Sequence, residues 1–365
     1  MRAGGKPLSS HEPVAITGLG AVCSLGNSVP EIARAFLSGK SGAGEIPGFD
    51  GCPAAPVKNL PPFKTDMPPQ LARTMGKHLS LLLASVDEAL RGASIGPGMF
   101  DPGDMGFFAG MGMVDYHVED LLPAVLKSLK SDGDIDYDRF FVQGYREIYP
   151  LWSLGMLNNV AFCQASIHFG LRGENCVFCP HGDAGVTAVY EAAWALREGR
   201  AKMALAGGVS EEISPCGLAR AKLKNVIGSI AETSARASFL GEAGAMLVLE
   251  PLSSAVARGA SILGRIAGFG FSCERSDDGR FASKEAICSA MRAALCDAGL
   301  APGGIDRVML GSFDPNELDA VHAVFGKEGR PPVIVAAPRA VGETYAAGPV
   351  LHAVLALSIS AGAAL

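Results

Sequence analysis

The sequence predicts a layered α/β fold made of two strand-first halves in tandem. Three observations predict it. A β-branched run opens the chain's first ordered stretch and is followed by a helix. The strand–helix–strand pattern from Cys176 to Gly208 is the most regular in the chain. A similar strand-then-helix order begins again after Ser261. Composition agrees: 48% of residues are hydrophobic but only 7% aromatic, with 46 glycines, which suits small-residue layers joined by tight turns and does not suit disorder. The 365 residues suffice for one large core or two fused ones.

The elements follow in order. Val14 to Val22 (VAITGLGAV) is a buried strand by its apolar, β-branched run. Pro30 opens a helix, since proline's fixed φ suits a first turn, and Gly39 stops it. Ser41 to Pro68 is rich in Gly and Pro and reads as irregular. Leu79 to Leu90 has helical periodicity, and Met105 to Met113 (MGFFAGMGM) reads as a strand. Asp115 to Pro150 is mixed and charged and reads as an insertion over one face of the core, with Ser131 to Asp138 a solvated loop. Cys176 to Cys179 is a short strand. Asp183 is a candidate N-cap, because its carboxylate could accept from the free N–H groups of the first turn. Ala184 to Glu198 is a helix stopped by Gly199, and Lys202 to Gly207 is the next strand. Phe239 to Glu250 is a glycine-rich turn running into a strand. Ser261 to Gly270 opens the second half with a strand. Lys284 to Ala298 is a helix, and Val308 to Leu310 and Val333 to Ala336 are strands.

Several function classes are excluded or demoted. The net charge of −6, with no long basic run, argues against nucleic acid as a partner. Nine scattered cysteines and a polar start without an apolar core segment point to a reduced cytoplasmic setting. Gly348 to Leu365 carries no formal charge, yet it is short for a membrane span, so a buried helix is expected. Cys176, Cys179 and His181 have a metal-like or redox-like spacing, but no second ligand pair accompanies them, so no metal and no cofactor is expected. The glycines of Gly241 to Gly244 lack a phosphate-binding lysine and suit a tight turn. His168, His322 and His352 lie in helical or apolar tracts and read as satisfied structural histidines.

Ordered tracts then carry a resemblance. Val14 to Asn27 (VAITGLGAVCSLGN), Phe36 to Gly44 (FLSGKSGAG), Phe169 to Asn175 (FGLRGEN), Ala204 to Gly208 (ALAGG), Gly241 to Glu250 (GEAGAMLVLE), Ala255 to Ala260 (AVARGA) and Ala346 to Gly348 (AAG) occur in the order found in β-ketoacyl synthases. The chain resembles that family across most of its length. The resemblance implies a thiolase-like αβαβα fold, with an N-terminal half at 11–260 and a C-terminal half at 261–365. It also implies acyl chemistry on a cysteine at a helix N-terminus, where the dipole helps ionise the thiol. Two histidines stabilise charge on the thioester oxygen, and a lysine supports one of them.

None of these groups stands where the resemblance places it. The nucleophile position is Gly182, and Asp183 adds negative charge beside it. The tract after Val308 to Leu310 is Gly311-Ser312-Phe313-Asp314-Pro315, without the histidine. The run Ala337 to Tyr345 (APRAVGETY) holds neither lysine nor histidine. The family's further strands, with a Gly-Phe-Gly-Gly-Thr-Asn tract, are not found before Leu365, so a shortened C-terminal half is expected. Gly182, Asp183, Phe239 and Glu242 are the expected neighbours of the acyl site. Phe239 is similar to a gating phenylalanine, with a packed core aromatic as the equal alternative.

Three functions fit. The first is a non-condensing, chain-length-factor-like subunit of fatty acid or polyketide biosynthesis. It would dimerise with a ketosynthase and help shape an acyl tunnel lined near Gly182, Phe239 and the insertion. The second is an active acyltransferase or condensing enzyme that uses Cys179, with His181, as a relocated site; the alternative for Cys179 is a buried structural cysteine still within the strand. The third is a truncated inactive relative. Either of the first two readings implies acyl carrier protein or another acyl thioester as partner.

Overall fold

The computed structural model describes residues 12–47, 51–60, 76–179, 181–223, 227, 239–275, 282–312, 314–326 and 331–362. Positions 48–50 and 61–68 of the irregular Ser41–Pro68 segment lie outside them. The core is a six-stranded mixed sheet in the order Asn175–Phe178, Met105–Met111, Met203–Ser210, Ala243–Pro251, Val14–Cys23, Gly264–Ile266. The first three strands pair in parallel, and the remaining pairings are antiparallel. Every residue of Met105–Met111 and Met203–Ser210 is buried, as expected of strands covered by helices on both faces.

One face packs on the helices Lys77–Gly92 and Asn158–Phe169, where Phe107 stacks on Phe162 with ring centroids 4.3 Å apart. The other face packs on the helices Ala184–Arg197 and Gly348–Gly362 through Ala188, Ala192, Val350, Leu351 and Val354. The uncharged C-terminal segment is therefore a buried layer of this core. Among the described residues, no helix is long and apolar enough to cross a membrane.

Carboxylates tie the elements together. Val29–Leu37 starts without a side-chain cap of its own; instead Glu88 accepts from Val29 N at 2.7 Å and from Ala21 N at 2.9 Å. Glu250, fully buried, takes Arg258 of the AVARGA tract at 2.6 and 2.7 Å and also accepts from Thr17 Oγ1. A buried charge is tolerable only with such a complete set of partners.

Two expectations change. The strand expected over Ser261–Gly270 is confined to Gly264–Ile266, and it pairs with Val14–Ile16. It joins the edge of the first sheet and opens no second one. The loop expected over Ser131–Asp138 gives way at Tyr137 to the helix Tyr137–Val142, capped by Asp136, whose carboxylate accepts from Arg139 N at 3.0 Å. The insertion also carries the helix Val118–Lys127. In the C-terminal half, the described strands outside the first sheet are Arg307–Leu310 and Val333–Ala336, paired in parallel and covered by the helices Lys284–Ala298 and Pro315–Phe325.

Candidate functional site

Gly182 lies between the end of the Asn175–Phe178 strand and the start of the Ala184–Arg197 helix, as the sequence pattern requires. The floor of this region is made by close backbone approach. A Cβ on either Gly185 or Gly208 would come within 2.1 Å of the Ala346 carbonyl oxygen. Only glycine lets the Tyr345–Ala347 turn sit against both the helix start and the Met203–Ser210 strand. Gly182 itself is not crowded: a Cβ there would meet only Tyr345 Cα and O, each at 4.0 Å. The missing thiol is thus a chemical absence, with space left for a side chain.

Tyr345 borders that space in a strained backbone. Its φ is +38°, a value unusual for a bulky side chain. Glu343 Oε1 holds the turn by accepting from Tyr345 N at 3.1 Å. The Glu343 backbone is fixed in turn, donating from its N to Phe239 O at 2.8 Å and accepting from Gly241 N at 2.9 Å. Phe239 is buried, and its ring lies against Gly342, where an added Cβ would come within 2.8 Å.

Acids with raised proton affinity lie in this part of the molecule. Burial pushes Glu343 up to about 7, with Glu317 adding to the effect. Burial likewise pushes Glu212 up to about 7, against the pull of Arg220 and of the Met113 N–H. Burial raises the Tyr345 phenol, and Glu212 and Glu343 raise it further. Arg220 sits 3.8 Å from Glu212 and grips Asp115 at 2.6 and 3.0 Å. The loop after Arg307–Leu310 is folded onto Glu317, which accepts from Gly311 N at 2.6 Å, Ser312 N at 2.9 Å and Ser312 Oγ at 2.9 Å. A buried carboxyl in this range can take or hold a proton, but none of these side chains is a strong nucleophile.

The sequence-derived residues are placed unevenly. Asp183 is the residue before the helix, but its carboxylate makes no cap bond; its backbone is already helical, and its carbonyl accepts from Thr187 N at 2.9 Å. That corrects the expected side-chain cap: a capping residue needs extended φ/ψ to turn its side chain back onto the first turn. Cys179 is also corrected. It lies one residue beyond the strand and is exposed, with Asn158 Nδ2 3.2 Å from its Sγ. His181 is exposed next to Gly182. Glu242 is buried, but its partners are Val57 N at 2.8 Å and Lys77, so it serves as a tie between core elements.

His168 and His322 are exposed, while His352 is buried, with burial pushing it down to about 4. Its Nε2 has no hydrogen-bond partner, so it is not the satisfied histidine expected. Among the described residues, no group of His, Cys, Asp and Glu could hold a metal ion. A cavity of about 540 Å³ opens between the insertion and the core, lined in part by Asp115, Tyr116, Trp152 and Ser214. Gly182 and Phe239, expected near an acyl tunnel, do not line this cavity.

Sequence reasoning missed Glu212, Glu343 and Tyr345. The run APRAVGETY was read for the lysine and histidine it lacks. Its signal was a bulky Tyr345 directly before the small Ala346-Ala347-Gly348 tract, preceded two residues earlier by an acid.

This architecture, with a helix start packed against a small-residue turn on one face of a mixed sheet, defines a scaffold of the thiolase-like class. The chain belongs to the β-ketoacyl synthase family: the family's N-terminal domain pattern matches residues 11–255 and its C-terminal domain pattern residues 263–362. It is 29% identical over 371 residues to the tetracenomycin polyketide synthase ketoacyl synthase beta subunit of Streptomyces glaucescens, covering 96% of this chain and 86% of that protein. It is 27% identical to 3-oxoacyl-[acyl-carrier-protein] synthase 2 of Coxiella burnetii, covering 86% of this chain and 77% of that protein. Among solved structures, an acyl carrier protein in complex with its type II polyketide ketosynthase (AntDE:AntF) aligns with a TM-score of 0.76 at 21% identity, covering 96% of this chain and 86% of that one. The ishigamide ketosynthase/chain length factor aligns with a TM-score of 0.75 at 23% identity, covering 94% and 85%. These two likenesses carry the fold.

Proposed function

We propose that this chain is a ketosynthase-like subunit of polyketide or fatty acid biosynthesis that does not condense by itself. It pairs with an active ketosynthase and helps shape the acyl site, as a chain-length factor does. The single observation that carries this reading is the coherent exchange in the sequence tracts: Gly182 stands at the position the resemblance gives the nucleophile, and Glu317, Glu343 and Tyr345 lie in or beside the tracts where it implies two histidines and a lysine. Where these carboxyls are ionised they oppose a thiolate or an oxyanion, which adds to the effect of the missing thiol.

Two further facts support it. The relative from Streptomyces glaucescens is named as a ketoacyl synthase beta subunit. The insertion also leaves Leu122, Leu126, Tyr137, Phe141, Val142 and Tyr145 exposed within one segment, an apolar surface suited to a protein partner. An acyl carrier protein or acyl thioester is the further partner of such an assembly, and the cytoplasm is its setting.

A second reading rests on one observation. Cys179 is exposed one residue past the strand, with an amide donor at 3.2 Å, so it is accessible to an acyl thioester. Incubation with a reactive acyl thioester, followed by peptide mass spectrometry, separates the two. We expect no covalent acyl group on the chain. An adduct on Cys179 that is lost in Cys179→Ser would overturn the non-condensing reading. Co-expression with an intact ketosynthase is expected to give a heterodimer with altered product length; a homodimer that leaves product length unchanged would count against the partner role.

A further inference from the structure

The cavity between the insertion and the core has a lining that its shape alone does not explain. Its volume, about 540 Å³, is that of a small-molecule site. One wall is aromatic: Tyr116 meets Trp152 edge-on with centroids 6.1 Å apart, and Tyr149 lies nearby in the lining. The charged side chains in the lining are acidic. Among the described residues lining it there is no lysine or arginine.

The acids fall into two pairs. Asp115 and Glu211 are internally engaged. Asp115 takes Arg220 and Ser214, while Glu211 Oε2 accepts from His78 N at 2.6 Å and lies 3.2 Å from His78 Nδ1. These bonds fix the walls. Glu119 and Asp120, by contrast, have no ion-pair partner among the described residues. Their place in the first turn of Val118–Lys127 favours the helix dipole, but that role requires neither a cavity nor an aromatic corner.

We propose that this cavity is a binding site for a ligand carrying an alkylammonium group. The rings of Tyr116, Tyr149 and Trp152 in the lining can attract such a cation, and the carboxylates of Glu119 and Asp120, without an ion-pair partner among the described residues, supply its counter-charge. Inside a concave site this attraction is less screened than at a flat surface. An anionic ligand would face four acids, with the nearby Arg220 already engaged by Asp115, and a plain hydrocarbon chain makes no use of Glu119 and Asp120. The ammonium group comes from either a free small amine or the far end of an acyl chain held as a thioester. The inference stands apart from the subunit role proposed above, because it concerns the cavity and not Gly182.

Titration of the full chain tests it. Choline and its uncharged isostere 3,3-dimethylbutan-1-ol form one pair of ligands. The 6-aminohexanoyl and hexanoyl thioesters of pantetheine form the second. Calorimetry gives affinity, and quenching of Trp152, one of two tryptophans in the chain, reports occupancy. The cationic member of at least one pair is expected to saturate and to bind about tenfold tighter than its neutral partner. Choline binding identifies a free amine as the source; binding of the aminoacyl thioester alone identifies the acyl end. The double variant Glu119→Gln/Asp120→Asn, altered only at exposed positions, is expected to lose that preference while binding the neutral ligands as before. Equal affinity for charged and neutral partners, an unchanged preference in the double variant, or no saturable binding by any of the four ligands would overturn the proposal.

Discussion

The two halves of the chain treat their strands differently. In the first, Met105–Met111 and Met203–Ser210 are buried at every residue, with helices over both faces. In the second, Arg307–Leu310 and Val333–Ala336 form a two-stranded sheet whose residues are mostly half-covered, and Val333 is 55% exposed. Yet it is the second half that supplies the Tyr345 turn and the Glu317-bound loop to the site. The difference teaches where this chain kept its inheritance and where it changed. The first half keeps the glycine contacts that build the scaffold. The loops of the second half carry Glu317, Glu343 and Tyr345.

The largest expected effect tests the contrast in packing. Phe107→Ala empties a site between two layers and is expected to cost about 3–5 kcal/mol. Val333→Ala, on an exposed strand position, is expected to cost less than about 1 kcal/mol. Urea unfolding midpoints check both, and similar losses would erase the distinction between the halves.

The next effect concerns the acids. Glu343 and Glu212 are each raised to about 7 in the folded chain. A carboxyl raised on folding binds its proton more tightly in the native state. Its contribution to stability is therefore full below its unfolded value and is lost as pH rises toward about 7. Between pH 5 and pH 8 the wild-type chain is expected to lose on the order of 1–3 kcal/mol more than Glu343→Gln or Glu212→Gln. Denaturant titrations at the two pH values measure this, and a parallel fall in all three proteins would show that these carboxyls do not carry the dependence.

The smallest effect concerns the helix start in the first half. Since the Asp183 carboxylate caps nothing, Asp183→Ala is expected to change stability by less than about 0.5 kcal/mol, well below the roughly 1 kcal/mol of a working cap. A loss near the larger value would restore the side-chain cap.

Much of this was legible in the order of residues. The strand at Val14, the helix bounds near Ala184 and Lys284, and the paired strands at Val308 and Val333 follow from periodicity and from the glycines that end helices. The absence of a thiol at Gly182 was equally plain, because ordered tracts fix that position. Burial of the uncharged C-terminal helix was also readable, since it had no charge to keep in water.

The remainder depended on contacts across the chain. Gly264–Ile266 looks like the start of a new half, yet it pairs with Val14–Ile16, because hydrogen bonding along a sheet edge follows geometry and ignores sequence distance. Cys179 reads as a strand residue until the strand's end leaves it exposed. The sequence by itself determined the layered scaffold and what is missing at Gly182, both of which are local patterns. Only the tertiary structure decided which acids carry raised proton affinity. Glu212 lies far along the chain from Glu343 and Tyr345, and a carboxyl acquires its proton affinity from the burial and the charges that folding brings around it.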